Sequence, residues 1–159
     1  MPFQIEIYPI DTFQGIQIRD TELEVSIEIS TKGALLNHWE LKQEGTPHSF
    51  IAGNPFEKGW KEFEKGGFRS AKMSPFVCRL HQGQYVHLDK NYTIEHFYLG
   101  EHAIHGIVYD ALFTIASSEI HEHQASVVLE HYYTANDKGF PFNYSLQVKW
   151  TLEKNNKIS

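Results

Sequence analysis

In the stretch FNYSLQVKWTLE (residues 142–153), Tyr144, Leu146, Val148 and Trp150 alternate with Asn143, Ser145, Gln147 and Lys149. Successive side chains of an extended chain point to opposite faces, so a period of two marks a strand with one buried face. Working back along the chain, QASVVLEHYYT (124–134), GIVYDALFTIA (106–116), NYTIEHFYL (91–99) and GQYVHLD (83–89) are strand-like runs. Further upstream come GALLNHWELKQ (33–43), LEVSIEIS (23–30) and FQIEIYPI (3–10). Leu23, Val25, Ile27 and Ile29 share one face, as do Phe3, Ile5 and Ile7. Turn residues punctuate the runs at His81-Gln82-Gly83, Leu99-Gly100 and Asn136-Asp137-Lys138-Gly139. No amphipathic helix of useful length interrupts them. Short strands with turn punctuation predict an all-β fold, an antiparallel β-sandwich or barrel.

Two segments depart from this rhythm. Glu44 to Gly67 holds Gly45, Pro47, Gly53, Pro55, Gly59, Gly66 and Gly67 among mixed charges. It reads as a long loop (44–67), and loops of that length in compact domains are often functional. At the other end, LEKNNKIS (152–159) reads as a hairpin turn, with Ile158 beginning a further strand.

Composition narrows the function classes. The chain has 159 residues with 41% hydrophobic and 14% aromatic side chains, enough for a packed core in one domain. Its net charge of −6 and its scattered Lys and Arg argue against nucleic acid as the partner. No run approaches the roughly 18 apolar residues of a membrane span, and MPFQIEIYPID lacks the features of a signal peptide. The single Cys78 excludes an intrachain disulfide and a Cys-rich zinc module, and it reads as a small buried filler. The expected setting is the cytoplasm.

SPFVCRL (74–80), the turn after it and HAIHG (102–106) resemble the GRxANRI-like and NxLHGG-like segments of the aldose 1-epimerase (galactose mutarotase-like) family. GALLNHWELK is similar to that family's GAxLxSLxV strand, and GFPFNYSLQVKWTLEKNNKIS to its YPFxYxxxxxYxLxxxNxLxI region. The likeness runs in order from about Gly33 to the end of the chain. Ser74-Pro75 stand where the first arginine motif begins, Cys78 where its asparagine falls, His102 where NxLHGG opens, and Ile107 where its second glycine falls. These departures suggest a divergent branch.

The resemblance implies a galactose mutarotase-like β-sandwich, with residues 1–159 as its incomplete, N-terminal part. It implies a protein that interconverts the α and β anomers of an aldose without a cofactor. Mutarotation needs one group to protonate the ring oxygen and another to take the C1 hydroxyl proton. Carried over, Arg79 falls on the motif's last arginine and His105 on the substrate-binding histidine, so both are expected to hold sugar oxygens. The family's acid histidine, in an NHxYFN-like motif, and its glutamate base are expected beyond this chain, which leaves it no catalytic residue of its own. His131 in EHYYT precedes the GFPF turn and is not taken as that histidine. A non-catalytic carbohydrate-binding module is the alternative reading.

Other candidates have plainer explanations. His102 with His105, or His121 with His123, have metal-ligand spacing but lack an evident third ligand, so no metal is expected. Trp60, in the Gly-rich loop, is a better sugar-stacking candidate than Trp39, and Trp150 belongs to the core. Asp110 and Glu101 are carboxylates near the site without a recognisable acid–base pairing. Exposed strand edges are expected to invite pairing with a second copy of the chain.

Overall fold

The computed structural model describes residues 1–56 and 60–159. Five strands form an antiparallel meander: β1 (Phe3–Ile10), β2 (Phe13–Asp20), β3 (Val25–Ser30), β4 (Leu36–Gln43) and β5 (Thr46–Ser49). A helical turn, α1 (Lys61–Lys65), follows. Next come β6 (Arg79–Leu80), β7 (Gln84–His87), β8 (Lys90–Thr93), β9 (Tyr98–Leu99) and β10 (His102–Ile104). The order β6-β10-β9 makes a small sheet, and β7 pairs with β8. The last sheet is a second meander: β11 (Thr114–Ile120), β12 (Gln124–Tyr133), β13 (Tyr144–Glu153) and β14 (Lys157–Ile158).

The two meanders face each other. Ile16, Ile18, Val25, Ile27 and Ile29 from the first pack with Ala125, Val127, Leu129 and Leu152 from the second, all of them buried. Each such aliphatic side chain contributes roughly 1.5–3 kcal/mol on burial. The expected all-β sandwich is therefore present, and its strands are antiparallel throughout the named ladders.

β2 is a strand the alternation alone does not reveal. Gly15 breaks its pattern, because the Tyr8 ring of the paired β1 lies against it; a Cβ there would meet that ring at 2.4 Å. The Tyr8 hydroxyl then donates to Glu28 Oε2 at 2.6 Å and ties β1 to β3. GIVYDALF, expected to be strand, is not one: extended pairing begins only at Thr114. The segment instead crosses between the sheets, with Gly33 N–H donating to Ala111 O and Phe113 N–H to Thr31 O. The segment 44–67 contains the short strand β5 and the turn α1, while its residues 57–59 lie outside the described residues. Ile158 pairs with Leu152, as the hairpin reading requires.

β12 positions the site. Its inward residues Ala125, Val127 and Leu129 belong to the core. The next two on that face, His131 and Tyr133, line a cavity, Tyr133 being buried in a second apolar cluster.

Candidate functional site

The cavity encloses about 1100 Å³ at the end of the sandwich, between the aromatic cluster around Phe63 and Tyr109 and the cluster around Ile94 and Val108. A volume of that order exceeds what a single sugar ring needs.

His105 lines it from the end of β10. Its backbone is left-handed (φ 59°), and its N–H donates to Cys78 O at 2.8 Å. Gly106 follows at φ 78° and bridges Ser74; a Cβ at Gly106 would lie 2.0 Å from Ser74 O. The His-Gly pair therefore depends on close backbone approach, which only glycine permits here. His105 Nδ1 is buried with no hydrogen-bond partner among the described residues, and the ring lies 4.8 Å from that of Phe68.

Arg79 lies opposite Ile104 in the β6–β10 register, one position before His105. It is exposed and is not part of the cavity lining. Cys78, expected as a buried filler, is exposed; its carbonyl, rather than its thiol, performs the local packing by holding His105. Trp60 does not line the cavity either. It stacks on Phe63 at 4.6 Å, with the Lys32 ammonium 4.5 Å from its ring centre. Trp39 packs against Phe50 at 4.8 Å. Trp150 is half-buried against the main core, and its indole N–H donates to Ala34 O at 3.0 Å.

Asp110 does line the cavity, and burial raises its carboxyl above the ordinary value, with the Lys32 charge opposing. Glu101 sits exposed in the turn before β10.

Sequence reasoning missed His96, Tyr133 and Asp137 and set His131 aside as the acid histidine; all four line the cavity. His131 could have been placed there by extending the alternation of β12 by one step. Its Nδ1 lies 2.9 Å from Leu112 O; a carbonyl only accepts, so Nδ1–H is the donor. Asp137 is buried. Its carboxylate accepts from Gly139 N–H at 2.7 Å and from Glu95 N–H through both oxygens at 3.0 and 3.1 Å. His96 Nδ1 stands 3.1 Å from Asp137 Oδ2.

The donor atoms of Glu95, His96 and Asp137 fall within 4.8 Å of one another, which is close enough to suggest a metal site. The Asp137 carboxylate is already committed to backbone N–H groups and to His96 itself, so the arrangement is that of a hydrogen-bonded pair. His121 and His123 are exposed at the β11–β12 turn, where His121 Nε2 lies 3.4 Å from Glu119.

Solved structures of similar fold carry epimerase or mutarotase names. A galactose 1-epimerase from Lactobacillus acidophilus NCFM superposes with a TM-score of 0.74 at 18% identity, over 98% of this chain and 46% of that one. A galactose mutarotase-like protein from Clostridium acetobutylicum gives 0.74 at 15% identity, over 96% and 46%. An aldose epimerase homologue from C. elegans gives 0.61 at 15% identity, over 94% and 42%. The chain thus spans under half the length of these structures, and at such identities the likeness establishes the fold. No curated protein sequence matches the chain. The family profile described as aldose 1-epimerase matches residues 16–159, from β2 through both meanders, and with the shared fold it shows that this chain belongs to the aldose 1-epimerase family.

Proposed function

We propose that this chain forms the sugar-gripping part of an aldose 1-epimerase site, which interconverts the α and β anomers of an aldose. The observation that carries this reading is His105. It is held in a left-handed backbone by Gly106 and Cys78, and it borders a cavity whose nearest ring is aromatic. Buried aromatic rings suit the C–H face of a sugar, and imidazole suits its hydroxyl groups. Arg79, exposed and one register position away, would reach sugar oxygens from outside the lining through its several guanidinium N–H groups. The acid and base that move protons at the ring oxygen and at C1 would be supplied outside these residues.

The test is sugar binding by the 159-residue chain, read by saturation-transfer NMR with D-galactose and D-glucose, beside polarimetry on freshly dissolved α anomers. The expected result is millimolar binding that His105→Ala weakens about tenfold or more, with no acceleration of mutarotation. Binding that ignores His105→Ala would overturn the reading. So would anomer exchange catalysed by this chain and abolished by the same variant, because His105 would then be part of a complete catalytic site.

A further inference from the structure

Neighbouring aromatic rings in the cavity link His105 to His96. From His105 the ring centres step 4.8 Å to Phe68, 5.2 Å to Tyr109, 5.1 Å to Phe97 and 6.2 Å to His96. All five residues line the same cavity. Phe68 (φ 59°), Phe97 (φ 64°) and His105 (φ 59°) hold left-handed backbones. For a residue with a Cβ that conformation costs roughly 1–2 kcal/mol. Many other left-handed residues of this chain, such as Asp11, Glu44, Leu88 and Asn155, sit in hairpin turns that need it. These three do not serve a hairpin, and bulky residues strained together around one cavity point to a function for the geometry.

Resting on the sugar-binding reading above, we propose that His96 is a second sugar-contacting residue. Asp137 would hold it beside Phe97, so that a sugar in this cavity meets the imidazoles of both His105 and His96. The two rings have complementary polarity. Both oxygens of Asp137 accept N–H groups, so His96 Nδ1 must be the donor in their 3.1 Å contact. A neutral His96 then carries its proton on Nδ1 and presents Nε2 as an acceptor. Its side chain is 61% exposed while that of Asp137 is 4% exposed, which makes a buried anchor for an accessible ring. His105 is the reverse. Among the described residues its Nδ1 is buried and unpartnered, and an orphaned N–H is the rarer state for a buried group, so its proton belongs on Nε2. His105 therefore donates and His96 accepts. Sugar hydroxyls do both.

Asp137 owes its position to a contact that sequence spacing does not show. Gly139 packs so tightly on the β8 end that a Cβ there would lie 1.8 Å from Thr93 O. This draws the turn after β12 onto Glu95 and His96. Asp137 N–H donates to the Tyr133 hydroxyl at 3.0 Å, which in turn donates to Phe140 O at 3.2 Å, and the anchor is completed from below.

The test is long-range 1H–15N correlation of the imidazoles in uniformly 15N-labelled chain, before and during titration with D-galactose. The sugar-free spectrum should show His96 as the Nδ1–H tautomer and His105 as the Nε2–H tautomer. A His96 carrying its proton on Nε2 would overturn the inference before any sugar is added. On titration both rings should shift together. His96→Asn keeps an N–H toward Asp137 but removes Nε2; it should leave the melting temperature unchanged and weaken galactose binding about tenfold. Asp137→Asn should change the His96 tautomer without changing that of His105. If galactose shifts His105 and leaves His96 still, or if His96→Asn binds like wild type, this inference fails while the sugar-binding reading stands. If galactose perturbs neither ring, both fail.

Discussion

Three glycines allow the backbone and steric costs around the site to be measured separately. Gly45 sits at φ 77° in the β4–β5 turn with nothing within 4 Å of an added Cβ. Gly139 has no left-handed backbone, but an added Cβ would lie 1.8 Å from Thr93 O and 2.3 Å from its carbonyl carbon. Gly106 combines both conditions, with φ 78° and contacts of 2.0, 2.4 and 2.6 Å to backbone atoms of Ser74. Alanine at Gly45 should lose only the left-handed term, about 1–2 kcal/mol. Alanine at Gly139 should lose an overpacking term of about 1–3 kcal/mol, since backbone atoms cannot rotate aside. Alanine at Gly106 should lose both, about 2–5 kcal/mol. For a chain of this size each kcal/mol lowers the melting temperature by about 2–4 °C. Thermal melts followed by circular dichroism, with urea titrations as a check on two-state behaviour, give the comparison directly. Gly106→Ala should also abolish the galactose response of His105, because the displaced Ser74 carbonyl holds the N–H of Ile107 at 2.8 Å. If Gly106→Ala melts within a degree of Gly45→Ala, the Ser74 contact is not the tight one described and the account of why His105 is followed by glycine is wrong.

Two further predictions concern buried charge. Burial pushes the Lys72 ammonium down from 10.5 to about 8. At about 1.4 kcal/mol per tenfold change in proton affinity, this caps the cost of its charge near ~3 kcal/mol. The Trp150 ring 4.7 Å from Nζ returns part of that cost. Lys72→Met should therefore stabilise the chain at pH 7 by about 1–2 kcal/mol. The advantage should shrink between pH 8 and 10.5, where the unfolded wild type still binds a proton that the folded form has released and wild-type stability rises; urea titrations at pH 7 and pH 10 check both, and a constant advantage at the two pH values contradicts this. Asp110 is the opposite case: burial raises its carboxyl, so its stabilising contribution exists only below the ordinary carboxylate range and becomes a cost as pH rises through the folded value. Asp110→Asn should melt higher than wild type at pH 7 and lose that advantage on acidification, and a lower melting temperature at pH 7 would show that the ionised carboxylate is a structural partner.

The parts of the fold that could be read in the sequence are those with one buried face and an unbroken period of two. β3 and β13 meet that condition, and the pairing of Ile158 with Leu152 follows from the Asn155-Asn156 turn. β2 does not meet it, because Gly15 gives up its side chain to make room for Tyr8. Gly106 to Phe113 failed for a different reason. Gly106 to Tyr109 are all buried, so this stretch has no polar face to reveal its geometry, and a crossover then looks like a strand. His105 was legible because it stands in HAIHG, the segment that resembles the family's NxLHGG motif, and the structure places it in the cavity lining. His96 and Asp137 were not, because they meet across 41 residues and only after Gly139 packs on Thr93.

The same distinction explains how the site is held. β12 is continuous from Ala125 to Tyr133, so the wall carrying His131 and Tyr133 is one rigid piece with the core that buries Val127 and Leu129. The opposite wall is made of turns, and turns of this kind are easily displaced. Three devices stiffen it. Ser74 clamps Gly106, Cys78 O holds the His105 N–H, and the buried Asp137 carboxylate fastens Glu95 and His96 to the turn that follows β12. The third of these ties the turn wall to the strand wall. Left-handed Phe68, Phe97 and His105 together cost several kcal/mol at about 1–2 kcal/mol each, which is comparable with the whole margin by which a small domain is stable. Such an expense is sustainable only because the sandwich supplies its stability elsewhere, and it is concentrated where three imidazoles and several aromatic rings share one cavity.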